Sequence, residues 1–153
     1  MSQPTRTDLL QMSEAELDDV FVRTPLLELP RGVFDGTTIR RLATPGASHP
    51  IYRSLEWLGF EAMRWGIDFD GPRWFFQNPL LRAGRFEPRA GRSRWRPTEA
   101  FQMHYHPSRL PRVLSGSLYD EVKPLSDDLC LGLGGVNLEV GDGDHFYFVL
   151  ARR

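Results

Sequence analysis

From Arg64 to the last residue the chain is cut into short apolar runs by turn-forming residues, and that punctuation limits what it can become. "RWGIDF" ends at Asp70-Gly71-Pro72, "RWFFQ" at Asn78-Pro79, and "EAFQMHYH" at Pro107. "RVLSGSLYDEVKPL" is bent at Gly116, and "LCLGLGGVNLEV" meets "HFYFVLAR" across Gly141-Asp142-Gly143-Asp144. No run is long enough for a packed helix, whereas each suits a strand closed by a tight turn. "LLRAGRFEP" and "GRSRWRP" are expected to pair around Arg89-Ala90-Gly91. Val33 to Ala43 reads as a first strand; in "PIYRSLEWLGFEAMRW", Ile51, Leu55 and Leu58 suit a helical turn, and Phe60 to Phe69 reads as strand. Short strands in linear order, joined by short turns, predict an up-and-down antiparallel barrel of about 8–10 strands rather than a Greek key.

The one clear helical signal lies ahead of the strands. "SEAELDDVF" places Ser13 at the N-cap, Glu16 three residues on, and Leu17, Val20 and Phe21 at helical spacing. A helix over roughly Ser13 to Val22 is predicted, with that apolar face packed on the barrel or across one end. At 153 residues the chain suits one domain, with residues 1–30 as helix and lead-in and 31–153 as barrel.

Composition excludes several functions. The net charge of -1 gives no general attraction to nucleic acid or anionic lipid. All 19 basic residues except Lys123 are arginine, and the densest run is "RAGRFEPRAGRSRWR". Its interleaved aromatics resemble a nucleic-acid patch, but its alternation and Gly91 assign it to the polar face of a hairpin. The single cysteine, Cys130, excludes an internal disulfide and any zinc site built of cysteines. It alternates with Leu129 and Leu131 and reads as a buried, inert thiol. No apolar run approaches membrane length, and the N-terminus has no signal-peptide core. A cytoplasmic monomer or homodimer follows, with no nucleic-acid or membrane partner and no cofactor.

Alternation then sorts the candidate site residues. Phe101, Met103 and Tyr105 share one face of a strand, and Gln102, His104 and His106 share the other. With an apolar interior the aromatic face points in and the histidines point out. The alternative turns the histidines inward, where two at i and i+2 reach one metal, but a third ligand is then needed. His49, His145 and Asp120 supply that ligand by residue type alone. In "SLYDEVKPL", Asp120 shares the side of Leu118 and Val122, so it is the inward acid, and Glu121 shares the side of Tyr119. Buried, Asp120 either pairs with an arginine or serves as an acid or base of raised pKa. Trp65, Ile67 and Phe69 are expected to share an inward face, and Trp74, Phe76, Tyr119, Leu131 and Phe146 to be mostly buried.

The segments "MSEAELDDVF", "LPRGVFDGTTI", "RWGIDF", "YHPSRLPRVLSGSLYDEVKPLSDDLCLGL" and "HFYFVLAR" resemble, in order, an uncharacterised bacterial family of lipocalin-like, calycin-type β-barrels. Asp120–Glu121 and Leu131–Gly132 carry the best of the match, and His106 stands where the family has a small or acidic residue. The resemblance implies the barrel and, by analogy, ligand binding.

The function expected from these readings is binding of a small apolar or amphipathic molecule inside the barrel. Trp65, Trp74, Phe76, Phe101, Met103, Tyr105 and Tyr119 would line the interior, with Asp120, Tyr105 and an arginine such as Arg94 or Arg96 at a polar end. A first alternative is a small barrel enzyme of secondary metabolism, of cyclase, isomerase, decarboxylase or dehydratase type. Its acid–base candidates are Asp120, Glu121, Tyr105, Tyr119 and His104. A second alternative is haem or metal binding through histidine.

Overall fold

The computed structural model describes residues 3–41, 64–105, 107, 118–136 and 146–153. The chain opens with two short helices, α1 (Arg6–Gln11) and α2 (Glu14–Arg23). Each begins at a reciprocal capping box, Thr5 with Asp8 and Ser13 with Glu16, so the first free N–H groups of both are satisfied by side chains. The second helix matches the sequence expectation, and α1 is an addition to it.

Nine strands follow among the described residues: β1 (Val33–Arg41), β2 (Trp65–Asp68), β3 (Arg73–Phe76), β4 (Asn78–Arg85), β5 (Glu87–Arg92), β6 (Glu99–His104), β7 (Leu118–Ser126), β8 (Leu129–Val136) and β9 (Phe146–Arg152). They form one antiparallel sheet in the order β4-β3-β2-β1-β9-β8-β7-β6-β5, a nearly closed barrel. Apart from β1 with β9, all pairings join strands next to each other in sequence, which is the predicted up-and-down meander.

The closure differs from the sequence reading. Residues 80–88 and 91–97 do not pair around Arg89-Ala90-Gly91. Those three residues lie inside β5, where Gly91 faces Ala100 of β6, while β4 pairs with β3. The left-handed backbone falls instead at Gln77 (φ 60°) and Gly84 (φ 57°). Gln77 makes the β3–β4 turn, and Gly84 is the extra residue of a bulge opposite Arg73 and Trp74. The chain then passes from one edge of the sheet to the other through Phe86 alone, so β4 and β5 act as one bent strand spanning the seam. Phe86 donates its backbone N–H to Pro72 O at 3.1 Å and buries its ring inside.

Two apolar layers result. The inner one draws on strands all round the barrel and includes Phe34, Trp65, Ile67, Phe69, Trp74, Met103, Val122, Phe146 and Phe148. The expected inward face of Trp65, Ile67 and Phe69 is therefore present. The outer layer lies between the helices and one flank of the wall: Leu9, Leu17 and Phe21 pack on Leu131, Leu133, Tyr147 and Val149. Burying Leu17 and Phe21 contributes roughly 1.5–3 kcal/mol each. Along β8 the large residues face outward under the helices, and Cys130, Gly132 and Gly134 face inward. Leu131 is buried as expected, and it is buried in the outer layer because α1 and α2 supply a second surface on which a leucine can pack.

The barrel has two unlike ends. The β2–β3, β5–β6 and β7–β8 connections at one end are residues 69–72, 93–98 and 127–128. At the other end β1, β6 and β8 finish and β2, β7 and β9 begin. The expected helical turn near Ile51, the bend at Gly116, the turn at 141–144, and His49, His106 and His145 lie outside the described residues.

Candidate functional site

The site is built on β7, whose central residues are buried on both faces. Its even positions Leu118, Asp120 and Val122 turn into the barrel, and its odd positions Tyr119, Glu121, Lys123 and Leu125 turn toward the helix-covered side. Asp120 stands near the start of β7.

Asp120 is 2% exposed and accepts a hydrogen bond on Oδ2 from the hydroxyl of Tyr105, itself 3% exposed. Tyr105 follows directly on β6, and its ring meets Trp74 at 6.0 Å and Phe86 at 5.9 Å, both edge-on. Trp74 stacks on Trp65 at 5.2 Å with an interplanar angle of 16°, and Trp65 meets Phe148 at 5.5 Å. The inner glycines make this arrangement possible. A Cβ on Gly134, the β8 partner of Asp120, would overlap Oδ1 of the carboxylate, and one on Gly132 would overlap the Phe148 ring.

Burial first, and then the charge of Asp120, holds the Tyr105 hydroxyl well above the ordinary phenol range. At neutral pH Tyr105 is therefore the donor and Asp120 the acceptor. This polar pair, set in an aromatic wall, can orient a hydrogen-bonding group that enters from the interior.

Other sequence candidates lie elsewhere. Phe76 is half-buried against the inner layer, and Met103 is fully buried within it. Phe101 is half-buried on the same side of β6 as Met103, apart from the inner cluster. Tyr119, Glu121 and His104 are on the outside of the wall. Arg94 is exposed, with its guanidinium 3.8 Å from the centre of the Tyr119 ring. His104 is half-buried, bonded to Gln102 at 3.1 Å and 5.8 Å from the Tyr119 ring. The barrel wall separates these residues from Asp120, so the expected lining by Tyr119 and Arg94 does not form. Tyr119 shares the parity of Glu121, Lys123 and Leu125 on β7 and so faces outward with them. Arg96 also stays outside, bound to Asp18 of α2 at 2.7 Å.

The outer polar residues form a separate hydrogen-bonded network. Glu121 accepts from Ser93 Oγ at 2.5 Å, from the Arg94 backbone N–H at 2.6 Å and from the Tyr119 hydroxyl at 2.9 Å. Lys123, fully buried, donates to Thr98 Oγ1 at 2.8 Å and to the carbonyl of Glu99. Burial pulls the Lys123 ammonium below its ordinary pKa, against the opposing charges of Glu99 and Glu121. Thr98 Oγ1 donates to Val22 O at 3.1 Å, and Asp18 also accepts from the Tyr147 hydroxyl. These bonds tie the 93–98 loop and α2 to the wall. Sequence reasoning passed over Gly134, Ser93, Asp18 and Phe86. The signals for them were the alternation of small residues in "LCLGLGG" and the single lysine among many arginines.

Among the described residues no three His, Cys, Asp or Glu side chains come together as a metal site. No helix among them is long and apolar enough to cross a membrane. No family model matches the chain, and no curated protein matches its sequence. Among solved structures the chain is similar to the crystal structure of a protein from Thermomonospora curvata, with 15% identity, 93% of this chain and 88% of that chain covered, and a TM-score of 0.46.

Proposed function

We propose that this protein is a lipocalin-like binding barrel that takes a small, largely apolar molecule into its interior and orients it by one polar end. The observation that carries this reading is the Tyr105–Asp120 pair, buried among aromatic rings of the inner layer. An aromatic interior supplies roughly 25 cal/mol for each Å² of apolar ligand surface removed from water. A phenol held well above its ordinary pKa gives up its proton poorly near neutral pH, which disfavours Tyr105 as a general acid in the barrel-enzyme alternative.

The test is a thermal-shift screen of neutral apolar molecules against the purified chain, with native mass spectrometry for anything carried through purification. A ligand at about a hundred times its Kd should add close to 2.7 kcal/mol to the folded state. Absence of any stabilisation across the screen would leave the barrel without a ligand role.

A further inference from the structure

The seam of the barrel leaves β5 with a free side. β5 ends the sheet order and, among the described residues, pairs only with β6. Backbone bonds at its two ends fix which of its groups face away. Ser93 N–H donates to Thr98 O at 2.8 Å, extending the β5–β6 ladder, and Phe86 N–H donates to Pro72 O at 3.1 Å on the opposite side. In an antiparallel ladder, hydrogen-bonded pairs alternate with pairs whose N–H and C=O point away. Glu87, Arg89 and Gly91 therefore bond to β6, whereas Pro88, Ala90 and Arg92 present their backbone groups to the free side. Ala90 and Arg92 are exposed, and Pro88 is half-buried. That row has gaps. Pro88 has no N–H, and the Arg92 carbonyl accepts from the Gln102 side chain at 2.7 Å. What remains is the Pro88 carbonyl, both groups of Ala90, and the Arg92 N–H.

This pattern is its own complement. We propose that the free side of β5 pairs antiparallel with β5 of a second copy of this chain, about a two-fold axis at Ala90. The two Ala90 residues exchange both of their backbone bonds, and each Arg92 N–H donates to the Pro88 carbonyl of the other copy. The N–H that Pro88 lacks falls opposite the Arg92 carbonyl that Gln102 already occupies. Other registers fit worse. An axis at Arg89 sets the Ala90 carbonyl against Pro88, and an axis at Gly91 sets the Ala90 N–H against the occupied Arg92 carbonyl. Charge permits the pairing: Arg89 is held by Glu87 at 3.0 Å and faces Gly91 across the new ladder, and the two Arg92 side chains lie at its opposite ends. One short strand from each copy is less than a standard interface, so the dimer forms reversibly.

Sedimentation velocity of the full chain, from micromolar to near-millimolar concentration, reads the association. The average mass should climb toward that of two chains. Ala90→Pro deletes an N–H that β6 does not use, a change that edge strands tolerate, and should keep the protein monomeric. Ala90→Ser retains the N–H and should associate like the native chain. Amide exchange gives a readout that needs no variant. Exchange of the Ala90 and Arg92 N–H groups should slow with rising concentration, in proportion to the fraction paired. A native chain that stays monomeric throughout overturns the proposal. Association that leaves those two amides unslowed overturns it as well, and so does a folded Ala90→Pro that associates like the native chain.

Discussion

Asp120 and Gly134 face each other across the β7–β8 ladder, and the carboxylate of the first fills the space that a side chain on the second would need. Position 134 therefore fixes where the interior charge sits. Gly134→Ala should destabilise the protein by about 1–3 kcal/mol, because backbone or carboxylate must move in a packed interior. Gly91→Ala is the control: a Cβ there meets only the Gln102 side chain, at 3.3 Å, and should change stability by no more than about 0.5 kcal/mol. Urea midpoints of the two variants decide it, and equal effects would remove the special role of Gly134.

Tyr105 and Asp120 should be energetically coupled. Tyr105→Phe withdraws a donor from a buried carboxylate and should cost about 1–3 kcal/mol. In a double-mutant cycle with Asp120→Asn the two changes should fail to add, by about 0.5–3 kcal/mol. Simple additivity would mean that the hydrogen bond contributes nothing specific.

Alkaline stability follows from the buried hydroxyls and thiol. Tyr105, Tyr119 and Tyr147 are all held above the ordinary phenol value of 10.0, first by burial. Cys130 is held above the ordinary thiol value of 9.0 for the same reason. The unfolded chain ionises at the ordinary values while the folded chain keeps its protons, so stability present at neutral pH is lost as pH rises from about 9 through 10 and beyond. Lys123, lowered from 10.5, works in the opposite direction and is outnumbered. Unfolding midpoints should fall steadily over that range, with tyrosinate absorbance appearing together with unfolding. Tyrosinate formation in the folded protein would contradict the burial of these phenols.

The parts of this structure that could be read in the sequence were those with a local signature. Ser13 and Glu16 mark α2 because their side chains cap it reciprocally. Asp120 could be placed inside because Leu118 and Val122 share its parity, and Trp65, Ile67 and Phe69 sort in the same way. Thr5 and Asp8 form the same kind of box with the shorter acid, on a helix of only six residues, and were missed. Where both faces of a strand are buried, alternation loses its meaning. Leu131 and Cys130 are equally hidden, and only the packing of α1 and α2 decides which faces in. Gly91 had the composition of a turn but lies inside β5, and positive φ falls instead at Gln77 in the β3–β4 turn, at the Gly84 bulge and at Gly32.

The sole lysine reports on α2. Lys123 is fully buried beneath Phe21, whose ring centre is 5.6 Å from its Nζ. Acylation of Lys123 by an amine-reactive ester should therefore be slow in the native protein. Asp18→Ala, which leaves the buried Tyr147 hydroxyl without its acceptor, should cost about 1–3 kcal/mol and speed that labelling. Mass spectrometry of the peptide carrying Lys123 gives the rate, and equal rates in the two proteins would show that Asp18 does not hold the helix down.

The pairing of β1 with β9 has a consequence for how the protein assembles. Every other ladder joins consecutive strands, so each can form as its own hairpin, but Phe34 meets Arg152 and Thr37 meets Val149 from opposite ends of the chain. Bringing those ends together carries the largest loop-closure entropy in the molecule, and non-local pairing of this kind is what slows the folding of β proteins. Until that clasp forms the wall is an open ribbon and water reaches Asp120. The burial of the carboxylate thus comes into being in one step, when the first strand finds the last.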